Sequence, residues 1–267
     1  MRVAVVQMCS TDDLVANLAA AGDFVREAAD CGAEFVALPE MFAYMRREGG
    51  RFPCAQALDG EIVSGVREWA RDRGVRILAG SFPERAPADA KVFNTSVLVG
   101  PDGEIEGVYR KMHLFDVDLG DAGGGRFQES ASIAPGDEVV VAETPFGGVG
   151  LSICYDLRFP ELYRVQAERG AVFATVPSAF TPQTGKDHWE VLLRARAIEN
   201  QVFVVAPAQC GRHGPDRVSH GRSLLIDPWG LVLAQLGDRP GLAVADCDLA
   251  EQQRVRARLP ALDHRRL

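Results

Sequence analysis

The sequence has no run approaching the roughly 18 consecutive apolar residues that a membrane-spanning helix needs, no Cys-x-x-Cys or His-x-x-x-His pair, and no excess of basic residues. A membrane partner is therefore not expected. The six cysteines, Cys9, Cys31, Cys54, Cys154, Cys210 and Cys247, are scattered, so neither a zinc site nor a disulfide framework is expected. With 29 Lys+Arg against 37 Asp+Glu, the net charge is −8. The clustered cations that a phosphate backbone rewards are missing, which argues against a nucleic-acid partner. Gly147-Gly148-Val149-Gly150 lacks the third glycine of a dinucleotide fingerprint, and Gly185-Lys186 lacks the glycine of a phosphate-binding loop. The opening MRVAVVQM runs directly into Ser10-Thr11-Asp12-Asp13 without a leader's cleavage pattern. A reducing cytoplasm is the expected location.

What is present is globular. Hydrophobic residues make up 47% and charged residues 25%, close to the averages for folded domains. A chain of this length can shrink its surface from about 42,000 to about 11,000 Å² on folding. Short apolar strands alternate with amphipathic helical stretches, the pattern of an α/β fold. A strand is expected over Val3–Met8, then a helix over Leu14–Ala29 capped by Asp12 or Asp13 and stopped at Cys31-Gly32. There follow a strand over Glu34–Leu38, a helix over Ile62–Asp72 and a strand over Val75–Ala79. Thr95–Val99 pairs with Ile105–Arg110 in a hairpin turned at Pro101-Asp102-Gly103.

The same order then recurs. Residues 32–42 (GAEFVALPEMF) lie over 170–180 (GAVFATVPSAF), and 96–103 (SVLVGPDG) over 223–230 (SLLIDPWG). A period above one hundred residues is an internal duplication, not a solenoid. Two β-α-β-α-β-β halves, each a sheet covered by helices on one side, can bury their bare faces against each other. The expected fold is therefore an α/β four-layer α-β-β-α sandwich, one domain over residues 1–267. Gly120–Arg126 (GDAGGGR) is read as a flexible loop near a site.

Three strand ends carry residues that make chemical sense together. The first is Leu38-Pro39-Glu40, the second Tyr109–Asp116 (YRKMHLFD), and the third Ser152-Ile153-Cys154-Tyr155-Asp156-Leu157-Arg158, with Pro160-Glu161 opening a helix. A cysteine at a strand-to-helix turn is expected to be exposed at the sheet edge and to feel helix N-terminal N–H groups that favour the thiolate. The other five cysteines read as small core residues. A thiol needs a base, for which His113, His188, His213, His220, His264 and Glu40 are all open. His213 and His220 read as loop residues and His188 as a helix-start residue. Glu40, beside Phe42 and Tyr44, is a carboxylate whose pKa desolvation can raise into a useful range.

Those three segments, in that order and on those strands, resemble the nitrilase superfamily of carbon–nitrogen hydrolases over essentially the whole chain. The resemblance implies the same sandwich, a homodimer or higher homo-oligomer, no cofactor or metal, and a Glu40-Lys111-Cys154 triad that forms a thioester with a small-molecule amide substrate. It also implies supporting roles for Glu129, which orients Lys111, and for the Tyr155 N–H, an oxyanion donor. Arg158 is read as holding a substrate carboxylate or pairing with Glu161, and Tyr44, Phe115 and Phe180 as pocket walls; the segment 41–56 and the glycine-rich loop are expected at its border. Residues 184–200 and 208–213 are most similar to the branch that cuts deaminated glutathione into 2-oxoglutarate and cysteinylglycine. Omega-amidases acting on 2-oxoglutaramate, N-carbamoyl amino acid amidohydrolases and an inactive scaffold member are the alternatives.

Overall fold

In the computed structural model, which describes residues 1–47, 49–86, 91–120 and 125–266, strand β1 (Arg2–Gln7) is buried except at its first residue. An unbroken apolar run is what a strand covered on both faces requires. The Asp13 carboxylate caps α1 (Leu14–Asp30), accepting from the Ala16 N–H at 3.0 Å, and the helix ends at Cys31 before Gly32 in the left-handed region. The first half continues through β2 (Phe35–Ala37), α2 (Glu61–Arg73), β3 (Arg76–Leu78), β4 (Phe82–Arg85), β5 (Val92–Val99) and β6 (Ile105–Arg110). A bridging stretch then holds β7 (Asp116–Asp118), β8 (Arg126–Gln128) and β9 (Ile133–Ala134).

The second half comprises β10 (Val141–Ala142), β11 (Gly148–Leu151), α3 (Pro160–Glu168), β12 (Ala171–Thr175), α4 (Pro182–Thr184), α5 (Glu190–Asn200), β13 (Phe203–Ala206), the hairpin β14 (Cys210–Arg212) and β15 (Val218–His220), and β16 (Leu224–Ile226) with β17 (Val232–Gln235). The chain closes with β18 (Gly241–Asp246) and α6 (Leu249–Arg258). One sheet runs β18-β1-β2-β3-β5, with β4, β6 and β9 also on β5; the other runs β10-β11-β12-β13-β16-β17. In each, three parallel strands are followed by antiparallel ones, as the duplication predicts. The departure lies at the chain's end. After completing the second half, β18 crosses back and pairs antiparallel with β1 along its whole length.

Side-chain alternation sorts the layers. Val3, Val5, Phe35 and Ala37 face the second sheet's Val149, Leu151 and Phe173, whereas Ala4, Val6, Val36 and Leu38 face Ala21, Val25, Val63 and Val66 of α1 and α2. The repeat-related Phe35 and Phe173 meet edge to face across the sheet interface, 6.3 Å between centroids and 90° between planes. Truncating either to alanine removes roughly 3–5 kcal/mol of packing. Strand β4 is absent from the sequence expectation; it pairs with β5 at the sheet edge and, among the described residues, carries only the isolated Gln56–Glu84 bridge on its other side, a position where the missing donor of Pro83 is tolerated.

Candidate active site

Glu40 stands three residues beyond the end of β2, with its backbone held from three sides. A Cβ added to Gly80 would sit 2.0 Å from the Pro39 carbonyl oxygen, so only glycine permits this approach. Met41 takes a left-handed φ of 51°, and the buried Gln209 amide donates to the Glu40 carbonyl at 2.9 Å. The carboxylate that results points at two donors: Lys111 Nζ at 3.0 Å and Asn94 Nδ2 at 2.9 Å, both on Oε1.

Lys111 follows β6 and is almost completely buried. Glu129, after β8, accepts from its ammonium through both oxygens, at 3.0 and 2.9 Å, and also from the Phe115 N–H at 2.7 Å. Burial works against the charge on Lys111, but Glu129, Glu40 and Cys154 outweigh it and hold its pKa well above the ordinary range. The ammonium is therefore fixed in charge and position between two carboxylates, the arrangement a buried ion needs.

Cys154 follows β11 with a φ of 51°, and its N–H donates to the Pro177 carbonyl at 3.0 Å. A non-glycine residue in the left-handed region stores strain that its surroundings must maintain. Asp156, fully buried, does so. Its Oδ2 accepts from the Ile153 N–H at 2.8 Å and the Tyr109 hydroxyl at 2.7 Å, and its Oδ1 from the His113 N–H at 3.1 Å and His113 Nδ1 at 2.7 Å. One carboxylate thus ties the turn bearing Cys154 to both flanks of Lys111. The thiol itself departs from expectation. It is buried, and desolvation and the Glu40 charge push its pKa well up, against weaker lowering by Lys111 and the Ala179 N–H. Helix α3 begins six residues later and the Cys154 N–H is already spent, so the resting group is a neutral thiol that needs a base.

Glu40, Asn94, Lys111, Glu129 and Cys154 line one cleft. Phe115, Tyr155, Phe180, Met41 and Met45 form apolar walls, with Phe115 and Tyr155 packed edge to face at 5.1 Å. Met41, Met45, Arg46 and Phe52 bring the segment 41–56 to the border as expected. Tyr44 is a correction: it is half-buried but not in the cleft, and its neighbours are Cys54, Asp12 and Arg47, because the turn that aims Met41 and Met45 inward points Tyr44 the other way. Of Gly120–Arg126, residues 121–124 lie outside the described residues. Arg158 enters the cleft, its guanidinium 5.5 Å from the Phe180 ring and 5.8 Å from that of Tyr155, with Nη1 3.3 Å from His188 Nδ1. Among the described residues it makes no ion pair with Glu161 or any other carboxylate. Of the histidines, His213 lies on the loop joining β14 and β15 as expected, buried between Ser10 and Ser219, whereas His220 differs from expectation in closing β15. His188 lies inside a π turn over Gly185–Trp189. Cys210 and Cys247 are buried core residues, but Cys31 is exposed at the end of α1 and Cys9 and Cys54 are half-buried.

Asn94, Asp156 and Gln209 escaped the sequence reading. Their signal is a polar side chain beside or inside an apolar strand, which burial obliges to find partners.

Comparison with known proteins agrees with this geometry. A family model described as carbon-nitrogen hydrolase matches residues 2–257. The chain is 44% identical over 265 residues to a deaminated glutathione amidase of Synechocystis, covering 98% of this chain and 97% of that protein. The crystal structure of yeast Nit3, described as a member of branch 10 of the nitrilase superfamily, superposes with a TM-score of 0.90 at 30% identity, covering 100% of this chain and 97% of that one. A mutant amidase from Nesterenkonia superposes with a TM-score of 0.79 at 29% identity, covering 100% of this chain and 94% of that one. It is described as showing covalent addition of the acetamide moiety of fluoroacetamide at the active site cysteine.

Proposed function

As the chain belongs to the carbon–nitrogen hydrolase family, we propose that residues 1–267 act as one amidase unit that cuts deaminated glutathione into 2-oxoglutarate and cysteinylglycine through a thioester on Cys154. The observation that carries this reading is the buried thiol, carboxylate and ammonium of Cys154, Glu40 and Lys111 in one cleft, with the Synechocystis relative supporting the substrate.

Sulfur attacks the amide carbonyl while Glu40 takes the thiol proton. The tetrahedral oxyanion is met by the Lys111 ammonium and the Tyr155 N–H; losing one such donor costs roughly 10²–10³ in rate. Collapse breaks the C–N bond, and Glu40 returns the proton to the departing nitrogen. Glu40 then takes a proton from water, which attacks the thioester; the C–S bond breaks and the proton goes back to sulfur. General acid–base help of this kind contributes roughly 10²–10⁴. Because burial holds the resting cysteine as a thiol, a base at sulfur is required, and Glu40 occupies that place. Glu129 orients Lys111, and Arg158 holds the carboxylate of the 2-oxo acid end. Phe180 walls the acyl chain.

Among the described residues no helix is long and apolar enough to cross a membrane. We also propose a cytoplasmic homodimer: the thiol must remain reduced, and Val191, Ile198, Trp229 and Leu231 expose apolar surface where α5 meets the β16–β17 turn. A monomer mass by light scattering refutes the dimer. For the reaction, purified protein is offered deaminated glutathione, 2-oxoglutaramate and an N-carbamoyl amino acid, with cysteinylglycine and ammonia measured. Higher kcat/KM on either rival overturns the substrate, and turnover by Cys154→Ala overturns the mechanism.

A further inference from the structure

The cleft is charged against the grain of the protein. The chain as a whole carries −8, yet among the described residues Arg46, Lys111, Arg158 and Arg217 line the cleft beside only two carboxylates, Glu40 and Glu129. Both carboxylates are bound to Lys111. Arg46 is held by the Gly50 carbonyl and the Ser132 hydroxyl, each at 2.9 Å. Among the described residues, Arg158 and Arg217 make no ion pair with a carboxylate.

The two have different settings. Arg158 belongs to the turn that begins at Cys154 and is wedged between the Tyr155 and Phe180 rings. It is fixed beside the group that becomes acylated. Arg217 stands one residue before β15, on the connection between β14 and β15. That hairpin packs on the cleft wall, where the His220 N–H donates to the Phe180 carbonyl at 2.9 Å. Arg217 therefore lines the cleft from a different element, outside the nucleophile's turn.

A cleft with two such cations matches an amide that carries an anion on each side of the scissile bond. Deaminated glutathione is one, with the 2-oxo acid carboxylate on the acyl side and the glycine carboxylate on the departing side; 2-oxoglutaramate has only the first. We propose that Arg217 binds the carboxylate of the leaving amine, and that the β14–β15 hairpin thereby selects amides whose departing group is a short peptide acid over those that release ammonia. This assignment rests on the amidase reading above. A guanidinium matches a carboxylate through two parallel N–H bonds, which an ammonium does not reproduce.

The experiment compares deaminated glutathione with its C-terminal glycinamide, which differs only in the leaving-group charge. A charge-assisted hydrogen bond at this site corresponds to roughly 10–100-fold. Wild type is expected to favour the acid by that factor in kcat/KM, chiefly through KM, since the contact lies far from the reacting atoms. Arg217→Gln brings the ratio to within about threefold of one, and Arg217→Lys restores part of it. A wild type indifferent to the glycine charge, or a ratio that Arg217→Gln leaves in place, overturns the proposal while the amidase reading stands. A wild type inert on both substrates refutes that reading instead. The role of Arg217 is then decided by calorimetry on Cys154→Ala protein: the acid must bind more tightly than the glycinamide, and Arg217→Gln must erase the difference, or the proposal falls too.

Discussion

Asp156→Asn is the sharpest test of how the fold holds its reactive groups. The wild-type carboxylate accepts four hydrogen bonds in a fully buried site. An asparagine has the same shape but one oxygen, and it turns an amide donor toward donors. In either orientation one backbone N–H, that of Ile153 or that of His113, is left facing the amide donor, whereas the Tyr109 hydroxyl or the His113 ring can turn to accept. A bond to a charged acceptor contributes about 1.5–3 kcal/mol, so the substitution costs about that much, a sizeable part of a typical stability of about 5–15 kcal/mol. Urea titration measures this loss. Activity is then read on protein shown to be folded at the assay temperature. Release of the Ile153 N–H frees the residue before Cys154 to relax its left-handed φ, and a misplacement on the order of 1 Å costs roughly 10² in rate. The expected result is a kcat lowered roughly 100-fold with KM changed far less. A folded Asp156→Asn enzyme with kcat within about threefold of wild type refutes the reasoning.

Other substitutions separate the remaining roles. Lys111→Met leaves Glu40 and Glu129 facing each other without their shared cation. It should destabilise by about 3–5 kcal/mol and lower kcat by at least roughly 10²; denaturation and steady-state kinetics check both. His213 titrates only at about 4, lowered from 6.5 chiefly by burial. The unfolded chain takes up a proton that the folded one refuses, so this contribution is whole above pH 6.5 and is lost as pH falls toward 4. The loss is roughly 3 kcal/mol across that window. His213→Gln should flatten that part of the slope, as unfolding free energies at pH 7, 5.5 and 4.5 will reveal. Tyr44→Phe should leave KM for deaminated glutathione within about twofold, since that side chain faces away from the cleft; a tenfold rise restores Tyr44 to the pocket wall.

Much of this arrangement can be read from the chain itself, for identifiable reasons. Apolar runs bounded by Asp13, Gly32 and Gly74 mark elements whose caps appear where polarity changes. The repeated Gly-Ala-x-Phe frame leads directly to Phe35 and Phe173 and so to the sheet interface. Strand ends then point to the three segments that hold Glu40, Lys111 and Cys154, and the family resemblance picks these three out of them. What stays hidden depends on contacts distant in sequence. Asp156 meets Tyr109 across 47 positions and Gln209 meets Glu40 across 169, and no local pattern records either. Burial of the thiol belongs to the same class. The turn at Cys154 resembles an exposed nucleophile elbow until Pro177, Ala179 and Glu40 close around it, and desolvation then reverses the expected direction of its pKa. Tyr44 fails for a smaller reason, a one-residue difference in which side of a turn faces the cleft.

The duplication explains why the molecule has one such site and not two. Val3 pairs with Phe35 as Val149 pairs with Phe173, so the position matching Cys154 in the first half is Met8, and the position matching Glu40 in the second half is Ser178. Met8 is a buried thioether with no proton to give. Ser178 turns its hydroxyl onto the Val176 carbonyl. That end of the molecule holds Ser10, Gln209 and His213: His213 Nδ1 bonds the Ser10 carbonyl, and the Gln209 amide donates to both the Ser10 hydroxyl and the Glu40 carbonyl. One strand-end cluster therefore braces the other. The first half supplies Glu40 and Lys111, and the second supplies Cys154, the cleft arginines Arg158 and Arg217, and Gln209, which anchors the Glu40 backbone. Neither half holds all three groups, so in the proposed mechanism the thiol meets Glu40 only after the two sheets have packed. Any variant that loosens the Phe35–Phe173 interface should accordingly lose activity before it loses secondary structure.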